Sequence, residues 1–96
     1  VTVDVLDNRE ENRFEIHVDG QLAGFAQYVL PPGKPDTVVF THTEVLPAYE
    51  GQGLAGRLVS HALDVTRDTG MKVVARCPYV ARYIERHPGY QDLLAG

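Results

Sequence analysis

Apolar and polar residues alternate at the start of the chain. Val1, Val3 and Val5 lie between Thr2 and Asp4, and a polar run follows from Asn8 to Asn12. Period two is that of a half-buried strand, and the polar run predicts a turn. Phe14, Ile16 and Val18 repeat the period and lead into Asp19-Gly20, a dipeptide that supplies the positive φ values of a tight hairpin. A third strand, from about Gln21 to Leu30, therefore pairs antiparallel with the second. Pro31-Pro32-Gly33-Lys34-Pro35-Asp36 cannot donate a regular ladder and predicts an exposed loop. Thr37 to Val45 (TVVFTHTEV) has the β-branched and aromatic content of a central strand.

Beyond Pro47 the period changes. Leu54, Ala55, Leu58, Val59, Ala62 and Leu63 share one helix face, while Arg57, Ser60, His61, Asp64 and Arg67 fall elsewhere, and Gly70 is a natural stop. Lys72 to Cys77 (KVVARC) predicts a short apolar strand. The long crossover from Val45 marks a βαβ unit with parallel strands. Pro78 suits the first turn of a second helix, Tyr79 to about Arg86, with Val80, Tyr83 and Ile84 on one face. Pro88-Gly89 ends it, and Tyr90 to Leu94 is expected to cover a core edge.

Composition narrows the class. The chain has 96 residues, 44% hydrophobic and 23% charged, which predicts one globular module, residues 1–96, with no second domain. Nine Lys plus Arg against thirteen Asp plus Glu give a net charge of -4, which opposes the broad basic face of a nucleic-acid binder. The single cysteine, Cys77, excludes an internal disulfide and a multi-cysteine zinc site. No apolar run approaches the roughly 18 to 20 residues of a membrane span. The expectation is a cytoplasmic protein, a monomer or weak homodimer, with no metal, nucleic-acid or membrane partner.

The segment Tyr49-Glu50-Gly51-Gln52-Gly53-Leu54-Ala55-Gly56 lies between a strand and an amphipathic helix. It brings small residues and unpaired N–H groups to a positive helix end, which suits a phosphate or pyrophosphate. Gly51, Gly53 and Gly56 also spell G-x-G-x-x-G, but a dinucleotide site is opposed on three grounds. The glycines do not directly follow the strand, the next strand ends in Cys77-Pro78 with no acidic residue for a ribose, and too little chain remains for a doubly wound sheet. A P-loop lacks its Gly-Lys-Ser/Thr. A glycine-rich helix start without a ligand stays open.

The TEV-L-P strand end, the glycine-rich turn with G-x-A opening a long helix, and the strand and helix that follow resemble the GCN5-related N-acetyltransferase (GNAT) fold. The runs THTEVLPAYEGQGLAGRLV and VVARCPYVARYIERHPGYQDLL are similar to its small single-domain YjdJ-type branch. The resemblance implies an α+β fold, antiparallel strands followed by a βαβ unit and a C-terminal helix, and acetyl-coenzyme A as acetyl donor. It implies that the backbone around Val45 and Leu46 pairs with the pantetheine arm. It also implies that the amides of Gly51, Gln52, Gly53, Leu54, Ala55 and Gly56 receive the pyrophosphate, the family's Q/R-x-x-G-x-G/A turn falling on Glu50, Gly53 and Ala55. Glu50 departs from the usual Gln or Arg. The N-terminal region of larger relatives, which helps form the acceptor groove, has no counterpart here, so the acceptor site is expected to be open or completed by a partner.

Acetyl transfer to an amine needs a base, stabilisation of an oxyanion and a proton for the departing thiolate. His42 and Glu44, two apart on the strand, share a face and either can take a proton. Imidazole needs little tuning, with an ordinary pKa of about 6.5. Cys77, expected at the end of the parallel strand, is a candidate nucleophile activated by His42. Tyr83 matches the family's thiolate-protonating tyrosine, with Tyr79 beside it. Each has an ordinary alternative: a hydrogen-bonded strand histidine, a solvated carboxylate, a small buried thiol, a core tyrosine. His61 and His87 read as surface residues. Arg82 and Arg86, four apart, suit a phosphate or an exposed helix face equally. Two functions follow: an N-acetyltransferase acting on an amine of a small molecule or protein, or a non-catalytic acyl-CoA-binding or interaction module on the same fold.

Overall fold

In the computed structural model, which describes residues 1–95, the alternating segments pair in chain order. Strands β1 (Val3–Asn8), β2 (Arg13–Val18), β3 (Gln21–Val29) and β4 (Thr37–Val45) form an antiparallel run, and β5 (Lys72–Ala75) joins β4 in parallel. Asp19 and Gly20 hold φ of 50° and 82°, the paired positive angles that close the β2–β3 hairpin. Helix α1 (Leu54–Asp68) is the crossover between β4 and β5, and α2 (Pro78–Arg86) follows β5. The antiparallel strands, βαβ unit and C-terminal helix therefore stand as read from the sequence.

Two boundaries differ. The first strand begins at Val3 and runs on through Asn8, because Asn8 pairs with Arg13 and the whole segment has a partner in β2. The fifth strand stops at Ala75 rather than Cys77. The amides of Arg76 and Cys77 both donate to the Phe40 carbonyl, at 3.0 and 2.9 Å, and Pro78 has no N–H with which to continue the ladder. The ladder therefore ends where the sequence expected it to continue.

Both helices contribute to one hydrophobic core. Leu54, Leu58, Val59, Ala62 and Leu63 of α1 and Val80 and Ile84 of α2 are buried with Phe14, Ile16, Ala26, Tyr28, Val38, Phe40 and Val73 of the sheet. Thr66, buried in α1, satisfies its hydroxyl by donating to the Ala62 carbonyl at 2.8 Å. At the end of α1 the amides of Gly70 and Met71 return to the carbonyls of Arg67 and Thr66, both at 3.0 Å, closing the last turn. The tail does cover a core edge: Leu93 is buried, and Leu94 bridges to Val73. No helix of the described residues is long and apolar enough to cross a membrane.

Candidate functional site

The divergence after Phe40 makes the site. From Thr41 to Val45, β4 keeps β3 on one edge and, among the described residues, has no strand on the other, since β5 pairs with Thr37 to Phe40. An exposed strand edge presents N–H and C=O groups to any extended chain that carries amides. The same point carries a bulge. Gln27 faces His42 and Tyr28 faces Phe40, so Thr41 is an extra residue, and extra residues of this kind re-aim the side chains that follow. Gly24 holds the far end of β4 close to β3. A Cβ there would lie 2.6 Å from the Glu44 carbonyl oxygen, so only glycine fits.

Val45 and Leu46 end this open edge half-buried, Leu46 anchored by its amide on the Ala23 carbonyl at 2.8 Å. A short 3-10 helix, Pro47–Tyr49, turns the chain toward α1, and Glu50 follows it, exposed. Gly51 and Gly53 have φ of 79° and 72°, the left-handed region in which side chains are strained. Gly53 is the residue that begins α1, with no side chain capping the helix. The amides of Gly51, Gln52, Gly53, Leu54, Ala55 and Gly56 donate to no backbone carbonyl among the described residues; the first bond is Arg57 to the Gly53 carbonyl, at 3.4 Å. Leu54 sends its side chain into the core, so only its amide is available to a ligand. This is an anion cradle at a helix start.

On the sheet face away from the helices, His42 and Glu44 come together as expected, Nε2 to Oε1 at 3.3 Å, both about half exposed. The Phe25 ring lies beside His42, centroids 6.1 Å apart, and the Arg13 guanidinium lies over the same Phe25 ring, 4.8 Å from its centroid. Behind them is a carboxylate that the sequence reading missed. Glu15 is 6% exposed and receives hydrogen bonds from Asn8 Nδ2 at 3.0 Å and Arg13 Nε at 2.7 Å, with His17 Nε2 at 2.9 Å. Burial pushes its pKa up, but these three bonds and the Arg13 charge outweigh that and hold it at about 2.

Cys77 does not meet His42. It is 3% exposed, and its Sγ donates to Thr43 Oγ1 at 3.4 Å. Thr43 and His42 are neighbours in an extended strand and so project to opposite faces. Cys77 precedes Pro78 with extended backbone, φ -72° and ψ 124°, as the residue that starts α2. Tyr79 and Tyr83 lie against the first turn of α1: a Cβ on Gly56 would be 3.9 Å from both the Tyr79 hydroxyl and Tyr83 Cε2. Burial, and then the neighbouring Tyr83 phenol, raise the Tyr79 pKa. Tyr83 is half-buried rather than a core residue, its ring stacked on His87 at 4.0 Å. The fold thus sets the glycine turn beside the two tyrosines, Cys77 beside Thr43 on the open half of β4, and His42 with Glu44 on the neighbouring sheet face.

A sequence profile described as GCN5-related N-acetyl-transferase matches residues 13–93. The chain belongs to the GCN5-related N-acetyltransferase family. Mouse (Mus musculus) protein NATD1 is 31% identical over 87 residues, 88% of this chain and 76% of that protein. Among solved structures, a GCN5-like candidate N-acetyltransferase from Staphylococcus aureus superposes with TM-score 0.70 at 22% identity, covering 97% of this chain and 88% of the other. N-acetylglutamate synthase from Neisseria gonorrhoeae, complexed with coenzyme A and N-acetyl-glutamate, aligns at 25% identity with TM-score 0.55, over 67% of this chain and 15% of that one. In this GNAT domain the residues that the sequence left unmarked are Gly24, Thr43, Glu15 and Phe25. The period-two pattern of β2 does place Glu15 and Arg13 together, on a face expected to be solvated.

Proposed function

We propose that this domain is an acetyl-coenzyme A-dependent N-acetyltransferase acting on an amine, and that it works in the cytoplasm, where the free thiol of Cys77 stays reduced. The observation that carries the reading is the unpaired edge of β4 from Thr41 to Val45, set beside the unpaired amides of Gly51 to Gly56. These groups fit the donor's two recognisable parts. The β4 edge, with Val45 and Leu46, suits an amide-bearing arm, and the turn suits a pyrophosphate. When bound, acetyl-coenzyme A supplies an activated acetyl thioester. His42 accepts the amine proton at Nδ1, and Glu44, which receives the Nε2 hydrogen at 3.3 Å, orients the ring and balances its charge. Tyr83, whose ring lies beside the first turn of α1, holds a proton at Oη for return to sulfur. Cys77, bonded to Thr43 and away from His42, supports direct attack by the amine rather than relay through the thiol.

Isothermal titration with acetyl-coenzyme A tests the binding half, and no heat at millimolar ligand refutes it. His42→Ala should lower the rate of free-thiol release with an amine panel by about 10²-fold or more, with acetyl-coenzyme A affinity unchanged. Cys77→Ala should retain turnover, and intact mass spectrometry should find no acetyl on Cys77. A second reading, an acyl-CoA-binding module without catalysis, is favoured by Glu50, a carboxylate at the start of the anion turn. Thiol release no higher than the buffer background, with binding intact, would select it.

A further inference from the structure

Where α1 ends, the core does not close. Phe14, Tyr28, Leu30, Val38, Val65 and Met71 wall a hollow of about 240 Å³ between the last turns of α1 and the sheet. Phe14, Tyr28 and Val38 are buried, Val65 and Met71 are half-buried, and Leu30 is exposed at the rim with Arg9. The hollow is remote from the site described above. Thr66, also on its wall, lies roughly 20 Å along α1 from the glycine turn, and His42 and Glu44 stand on the other face of the sheet. Its aromatic wall belongs to a cluster of three rings, Phe14 lying 5.5 Å from Tyr28 and 6.3 Å from Phe40.

The hydroxyls around the hollow are occupied. Thr66 donates to the Ala62 carbonyl at 2.8 Å, and Thr69 to the carbonyls of Val65 and Thr66 at 3.1 and 3.0 Å. Tyr28 Oη donates to Asp7 Oδ1 at 2.6 Å. Burial, and then Asp7, raise the Tyr28 pKa, so the phenol keeps its hydrogen and the direction of that bond is fixed. The acceptor left over is Asp7 Oδ2. Its contact, Arg9 Nε, is 3.4 Å away on a side chain 84% exposed, longer than an ordinary N–H···O bond. The charges at the rim cancel: a cation would have to displace Arg9, and an anion would face Asp7, whereas a neutral donor meets a carboxylate with room to accept. Size and walls narrow the body of the guest. An apolar cavity of about 150 Å³ takes benzene, so this larger one admits two fused rings, and Phe14, Tyr28 and the Met71 thioether offer the contacts that aromatic rings favour. We infer that the hollow between the end of α1 and the sheet binds a small, neutral, two-ring aromatic molecule with one N–H or O–H group, its rings against Phe14, Tyr28, Val38 and Val65 and its hydrogen on Asp7 Oδ2.

The test titrates the full chain with indole as the probe and with indene, which has the same fused rings and no N–H, as its control, following amide and methyl chemical shifts. Indole should give saturable shifts at Phe14, Val38, Val65 and Met71 and none at Gly51 to Gly56. Nuclear Overhauser contacts should run from its ring protons to the methyl groups of Val38, Val65 and Met71. A hydrogen bond to a charged acceptor predicts that indene binds about tenfold more weakly or worse. Val65→Phe, at a half-buried helix position, puts a ring into the hollow and should weaken indole binding by a similar factor with circular dichroism unchanged. The unmodified chain decides alone if that variant does not fold. No saturable shift at millimolar indole, contacts to other methyl groups, equal binding of indene, or undiminished binding by folded Val65→Phe each overturns the inference. None of these readouts involves coenzyme A, so the reading of the donor site stands or falls separately.

Discussion

Glu15 shows how a single side chain on an uncovered sheet face can be as consequential as one in the core. Its ordinary carboxylate value of 4.5 falls to about 2 because bonds from His17, Asn8 and Arg13 outweigh the burial that opposes ionisation. A depressed folded-state pKa stabilises the fold above the unfolded value and stops doing so as pH falls through the folded one. This contribution is therefore complete above about pH 5 and disappears between about pH 4.5 and 2. Glu15→Gln should cost roughly 2–3 kcal/mol at pH 7 and much less at pH 3, measured by urea denaturation. An equal cost at both values would mean that packing, and not charge, is lost. At this scale the sequence was partly readable. His42 and Glu44 meet as their spacing predicts. Cys77 and Thr43 meet only because the strand ends early, and nothing local in either residue announces that.

Elements were more readable than their irregularities. Period two, the Asp-Gly turn, the helical spacing from Leu54 and the proline at the start of α2 each depend on neighbours in sequence, and each element formed. The bulge at Thr41 and the closeness of Gly24 to Glu44 depend on which strand lies opposite, so periodicity could not reveal them. They matter because they hold the half of β4 that has lost its second partner. Gly24→Ala would place a methyl against the backbone of Glu44 and Val45, at 2.6 and 3.2 Å, and backbone cannot swing aside as a side chain can. The expected outcome is a loss of about 1–3 kcal/mol with amide chemical-shift changes concentrated from Thr43 to Leu46. Unchanged stability with those shifts absent would show that the β3–β4 spacing is not held by this glycine.

Taken as a whole, the molecule is a small sheet and helix assembly opened at one end. β5 pairs with β4 along Thr37 to Phe40, and Cys77 meets Thr43 beyond that ladder, while the start of α1 carries amides with no backbone partner among the described residues. A donor lying along β4 and reaching the turn at Gly51 to Gly56 would tie these parts together in the folded chain alone, and the unfolded chain offers no such cleft. Ligand that binds only the folded state stabilises it by about 2.7 kcal/mol at a hundred times its Kd. For a domain of this length each kcal/mol moves Tm by about 4–8 °C, so saturating coenzyme A should raise Tm by roughly 10–20 °C. Ala55→Pro keeps the first turn helical and deletes one of the amides; it should leave the unliganded Tm nearly unchanged and reduce the shift. A Tm that does not move with ligand would separate the open cleft from coenzyme binding, and a full shift in Ala55→Pro would place the pyrophosphate on other groups.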